Sequence, residues 1–173
     1  MQQEGFQVLF KTWSASEGGT DKPCQLSIAL GPDGSTGIYL IGTLSVEKTE
    51  VRMAFPLCID LKDMREFLDE ARRLSPDRPD GKATMYDYDY QPVLVLSWVP
   101  LQPPVLVVSG EYTSYLIPQE DELRNVEKYP YQAQDNVEYS GIAATLTDVG
   151  RLVAELRAGL EELGIRWADT DCK

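Results

Sequence analysis

Two stretches with a helical apolar period, each preceded by a run of strand-like segments, constrain this chain more than any other feature. In "DLKDMREFLDEARRLSP", apolar residues fall at Leu61, Met64, Phe67, Leu68, Ala71 and Leu74, which is one face of a helix. Asp60 is the predicted N-cap. Asp63 and Glu66 place negative charge at the positive end, Arg72 and Arg73 sit in the last turn, and Ser75-Pro76 stops the helix. In "TDVGRLVAELRAGLEELGI", Val149, Leu152, Val153, Leu156, Leu160 and Leu163 repeat the pattern, with Thr147 as predicted N-cap and Gly164 as the residue just past the end.

Outside these stretches the apolar period is two or continuous. "GFQVLFKTW", "CQLSIALG", "IYLIGTLSV" and "EVRMAFPL" read as four strands ahead of the first helix. "ATMYDYDY", "PVLVLSWV", "PVLVVSG", "YTSYLIP" and "NVEYSGIAATL" read as strands ahead of the second. The order implies an α+β fold. It predicts a largely antiparallel sheet in a β-meander–helix–β-meander–helix order, with both helices packed on one sheet face. No stretch is long enough to separate two domains, so a single domain over 1–173 is expected. Residues 1–35 supply N-terminal strands and a loop, and 165–173 a C-terminal tail. A domain of this length buries roughly 70% of its unfolded surface and needs neither metal nor disulfide to fold.

The start "MQQEGFQVLF" has no basic segment followed by an apolar one, so no signal peptide is expected. No apolar run approaches the roughly 20 residues of a membrane helix. The three cysteines, Cys24, Cys58 and Cys172, form an odd, sparse set that fits reduced thiols. Together these features predict a cytoplasmic protein.

Sixteen basic against 28 acidic residues give a net charge of −12. Such a surface repels nucleic acid and anionic membranes and attracts basic partners, although solubility alone also accounts for it. The charge is uneven. From Tyr86 to Glu138 nine acids face only Arg124 and Lys128, and eight of the nine tyrosines lie between Tyr86 and Tyr139.

Histidine is absent, which removes Ser-His and Cys-His nucleophile pairs and every histidine-ligated metal site. The cysteines lack C-x-x-C spacing, and the glycine-rich "SEGGTDKP" and "GPDGSTG" carry no phosphate-binding pattern. No catalytic residue, metal ligand or cofactor is therefore predicted. The one enzymatic possibility is Asp87 with Asp89, two apart on a predicted strand and hence on one face, where a carboxylate pair can hold Mg²⁺. Glu120, Asp121 and Glu122 are adjacent and do not converge. On the same predicted strand Tyr86, Tyr88 and Tyr90 share a face. That face packs inward with its hydroxyls at the rim, or lies exposed as a contact surface for a partner rich in Lys and Arg.

The order of elements in "GTLSVEKTEVRMAFPLCIDLKDMREFLDEARRL", "PVLVLSW", "PVLVVSGEY" and "NVEYSGIAATLTDVGRLVAELRAGLEELG" resembles bacterial polymorphic-toxin immunity proteins of the WapI type. The resemblance covers roughly residues 36 to 164 and is a pattern of elements rather than a fixed motif. It implies a non-catalytic protein that binds and neutralises a cognate toxin. The alternatives are an adaptor or assembly subunit of a secretion or phage-related system, and a carboxylate-metal enzyme. The predicted binding surface is acidic and tyrosine-rich. It comprises Asp87, Tyr88 and Asp89 on the strand, and Tyr112, Glu120, Asp121, Glu122, Tyr129 and Tyr131 on or beside the polar connection Gln119 to Asp135.

Overall fold

The computed structural model describes residues 5–14, 22–32, 39–48, 52–116 and 132–165. Four strands come first: β1 (Phe6–Ser14), β2 (Pro23–Pro32), β3 (Tyr39–Glu47) and β4 (Arg52–Asp60). Helix α1 (Leu61–Arg72) follows, then β5 (Lys82–Tyr86), β6 (Pro92–Val99), β7 (Val105–Leu116) and β8 (Gln132–Ala144), and last α2 (Leu146–Glu162). The result is an α+β fold with one antiparallel eight-stranded sheet, in the order β4-β3-β2-β1-β8-β7-β6-β5, and two helices.

The alternation read from the sequence sets the faces of the first meander. Val8, Ile28, Leu44 and Phe55 stand opposite one another on successive strands and are all buried. The intervening row of Leu9, Ser27, Ser45 and Ala54 points the other way. In the second meander Ala83, Leu96, Val108 and Ile142 form the equivalent buried row. Each fully buried aliphatic side chain contributes about 1.5–3 kcal/mol relative to exposure.

The meanders meet along a short seam. Among the described residues β1 and β8 pair at Trp13–Ala143 and Ser14–Ile142. Each helix packs chiefly on a strand of the other meander. α1, from the first meander, lies mainly on β5, whereas α2, from the second, lies on β1. Met64, Phe67 and Leu68 of α1 and Val149, Leu152 and Leu156 of α2 join the same buried cluster as the strands. Gly159 of α2 is buried against Phe6, and a Cβ there would collide with the phenyl ring.

Helix ends follow local chemistry. The Asp60 carboxylate accepts the Lys62 N–H at 2.8 Å. The N-cap of α2 is Thr145, not the expected Thr147. Thr145 has an acid three residues on, Asp148, and the two close a reciprocal capping box, whereas Thr147 has Gly150 at that distance. At the C-terminus Gly164 takes a left-handed φ of 83°, the Gly164 N–H donates to the Glu161 carbonyl and the Ile165 N–H to that of Leu160. This closing pattern favours glycine at that position.

Three strand expectations need correction. "PVLVVSG" and "YTSYLIP" are one strand, β7. Gly110, whose "SG" resembled a turn signal, sits at a register shift under the Val93 carbonyl and the Tyr139 ring, where only a glycine fits. β8 begins at Gln132, so the last four residues assigned to the polar connection belong to a strand. The predicted strand through Tyr90 ends at Tyr86.

Candidate partner-binding surface

Strand β5 stops because Asp87 offers the backbone an alternative partner. Its Oδ1 accepts the Asp89 and Gln91 N–H groups, each at 2.9 Å, so the side chain holds a turn that a strand cannot make. The Asp87 N–H donates to the Gln91 carbonyl at 3.0 Å, and the Tyr90 N–H to the Asp87 carbonyl at 2.9 Å. Gln91 ties this loop to the sheet. Its amide nitrogen donates to Asp87 Oδ2 at 3.2 Å and to the Thr113 carbonyl at 3.1 Å, while its oxygen accepts the Thr113 N–H. The amide of Gln91 thus does for β7 what a strand backbone would.

Asp87 is only 4% exposed, and its expected place on a strand face beside Asp89 is corrected. Its carboxyl is pushed above the ordinary value by burial and by the Asp89 charge, against the pull of the Gln91 and Asp89 hydrogen bonds. Both Oδ atoms are engaged within the turn. Among the described residues no group of three or more His, Cys, Asp or Glu side chains is placed to hold a metal ion.

The turn decides where the tyrosines point. Tyr86, Tyr88 and Tyr90 are 38%, 59% and 79% exposed, so the outward alternative holds. Tyr90 takes φ 59°, a left-handed conformation that costs a non-glycine residue roughly 1–2 kcal/mol. Tyr88 is fixed at both ends: its N–H donates to the Cys58 carbonyl of β4 at 2.7 Å, and its ring meets that of Tyr39 edge-on at 5.4 Å. The turn between β5 and β6 is therefore anchored to the opposite edge of the sheet.

Tyr112 is half-buried on the inward side of β7. Its ring stacks on Phe55 at 5.2 Å, and burial together with the charges of Asp87 and Asp89 pushes its phenol upward. Glu120, Asp121, Glu122, Tyr129 and Tyr131 lie outside the described residues. The structure adds residues the sequence did not single out. Thr113 Oγ1 donates to Asn136 Oδ1, Asn136 Nδ2 donates to Glu138 Oε1, and Glu138 stands opposite Glu111 on the paired strand. Two exposed carboxylates directly across a ladder repel each other, which suits a cation from outside. Their alternation with Thr113 and Asn136 was visible in the sequence, but their pairing depends on the β7–β8 register.

The surface thus combines a rigid turn bearing two well-exposed tyrosines with an acidic strand pair reached through Thr113 and Asn136. It has broad aromatic area, hydroxyl groups and negative charge, the composition of a contact patch. No protein-family model matches the chain, and comparison with curated proteins and with solved structures gives no match. Among the described residues no helix is long and apolar enough to cross a membrane.

Proposed function

We propose that this chain is a non-catalytic, cytoplasmic immunity protein that binds and neutralises a basic protein partner, a bacterial toxin of the polymorphic class. The observation that carries this reading is the half-buried Asp87–Gln91–Thr113 network, which holds Tyr88 and Tyr90 out to solvent in one geometry. Ordering an interface residue on binding costs about 0.5–1.5 kcal/mol for a flexible side chain, and a turn fixed in advance avoids part of that cost. Tyr88 and Tyr90 of the turn and the β7–β8 carboxylates Glu111 and Glu138 are exposed and open to a partner. Asp89, Glu111 and Glu138 supply the charge that draws in a Lys- and Arg-rich surface.

The test begins with affinity capture from the native organism and identification of the bound protein by mass spectrometry. Surface plasmon resonance against that protein then compares variants. Tyr88→Ala and Tyr90→Ala are expected to speed dissociation. Glu111→Lys with Glu138→Lys is expected to slow association, more so at low salt. Wild-type kinetics in all of these variants would place the interface elsewhere.

A further inference from the structure

We infer that the groove between the C-terminal end of α1 and the first half of α2 docks an amphipathic helix of a second protein, one that carries carboxylates beside its apolar stripe. This surface is separate from the tyrosine turn. The turn lies near the N-terminal end of α1, and α1 itself is about 18 Å long.

Leu74, Val149 and Val153 line the groove from their buried places in the core, Leu146 lines it from an exposed one, and Gly150 lines it as well. Leu146 is 40% exposed at the first position of α2, where the Thr145–Asp148 capping box fixes the backbone. Gly150 carries the argument further. A glycine inside a helix is less stable than alanine, so its presence asks for a reason. For Gly159 the reason is the Phe6 ring that fills its Cβ position. For Gly150 nothing in the described chain lies within 4 Å of that position. The space is open toward the groove, and Ala71 and Ala154 keep its walls low. A backbone left bare in this way admits close approach by another helix, as in helix-in-groove recognition.

The charge selects the occupant. Among the described residues Arg72 and Arg157 line the groove and no acid does. Arg72 is shared with Asp69 only across an exposed contact of 3.4 Å. A helix with Asp or Glu flanking its apolar stripe matches this rim, and a basic helix does not.

The experiment pans a displayed library of short helical peptides, randomised on every face, against the full-length protein. Supporting results are enriched sequences with an apolar stripe flanked by carboxylates, whose binding weakens roughly tenfold or more in Gly150→Leu and again in Arg72→Glu with Arg157→Glu. Tyr88→Ala is expected to leave that binding unchanged, which separates this surface from the turn. Gly150→Leu adds a good helix former at an open position, so circular dichroism and thermal melting should show a fold as stable as the wild type. The inference is overturned if no sequence is enriched or if the enriched sequences are basic. It is equally overturned if they bind both variants as tightly as the wild type. Sedimentation that shows wild-type chains pairing with each other through the groove, and separating in Gly150→Leu, overturns it in favour of a second copy as occupant.

Discussion

The first meander, β1 to β4, runs through three ladders without a register shift, and its buried and exposed rows alternate strand by strand. The second, β5 to β8, has the same number of strands but shifts register at Met85/Tyr86, at Val108/Gly110 and at Ser114/Tyr115. It also holds Tyr90 and Gly141 at left-handed φ values of 59° and 70°. Irregularities of this kind re-aim side chains and collect beside functional surfaces. The difference separates two roles. The regular half is a platform, and it contributes Cys58 and Tyr39 as fixed supports. The irregular half carries the turn, the exposed tyrosines and the facing carboxylates.

The sharpest way to break this comparison is to damage each half in turn. Leu44→Ala removes a fully buried side chain from the regular meander and is expected to cost about 2–5 kcal/mol in urea unfolding. Affinity for a partner, measured on the folded fraction, should not change. A loss of affinity beyond the loss of fold would assign the platform a direct part in binding.

Tyr88→Ala and Tyr90→Ala are expected to do the reverse. Each should weaken partner binding by roughly 2 kcal/mol. Unfolding free energy should move by about 0.5 kcal/mol or less for Tyr90, whose ring is the more exposed of the two. Titration calorimetry and urea melts on the same samples separate the two effects.

The glycines of α2 sharpen the comparison where the halves touch. Gly159→Ala forces a methyl group into the Phe6 ring of the regular half and should cost about 1–3 kcal/mol. Gly150→Ala meets nothing in the described chain and should stabilise by about 0.5–1 kcal/mol. Thermal melts that shift both proteins in the same direction would contradict the packing described for α2.

The smallest expected effect concerns pH. The Asp87 carboxyl is raised in the folded state, so the folded chain holds its proton more tightly than the unfolded one. That contribution to stability is fully present below the ordinary carboxyl value of 3.8 and is lost as pH rises through the raised one. Asp87→Asn keeps an oxygen for the Asp89 and Gln91 N–H groups, sets an amide nitrogen against the Gln91 amide nitrogen where Oδ2 accepted, and removes the titration. It is expected to lose about 1 kcal/mol near neutrality, from that lost hydrogen bond, and to lack this part of the pH dependence. An unchanged pH profile in the variant would show that another group titrates in that range.

The regular half was legible in the sequence because its signals are local. Alternation across "CQLSIALG" and "IYLIGTLSV" and the apolar face from Met64 to Ala71 each depend on neighbours a few residues away. The irregular half depends on distant partners. "YDYDY" has a clean strand period, and only the Asp87 carboxylate, with Gln91 reaching Thr113 22 residues on, turns it into a loop. Pro92 at the end of the same stretch was the available warning, since a proline restricts the residue before it and lacks an N–H of its own. The Glu111–Glu138 pair was invisible without the ladder that sets them opposite each other. The capping box at Thr145 and Asp148 was readable at its proper spacing, since Thr145 has an acid three residues on and Thr147 has a glycine there.

The exchange of helices between the two meanders makes the molecule a natural candidate for splitting. Among the described residues two pairs stitch β1 to β8, and the Lys48 Nζ donates to the Ser140 carbonyl across the divide at 2.8 Å. What chiefly joins the halves is that each lends its helix to the other. Pro76, Asp77, Arg78, Pro79 and Asp80, in the connector between α1 and β5, are all exposed. A gene cut there would give two fragments, each missing the helix that covers its own strands and each holding the one its partner lacks. Neither should be stably folded alone, and together they should reassemble without a covalent link. Two fluorescent-protein halves fused at the cut would report that reunion inside cells, and the groove and the tyrosine turn would be restored in the same event.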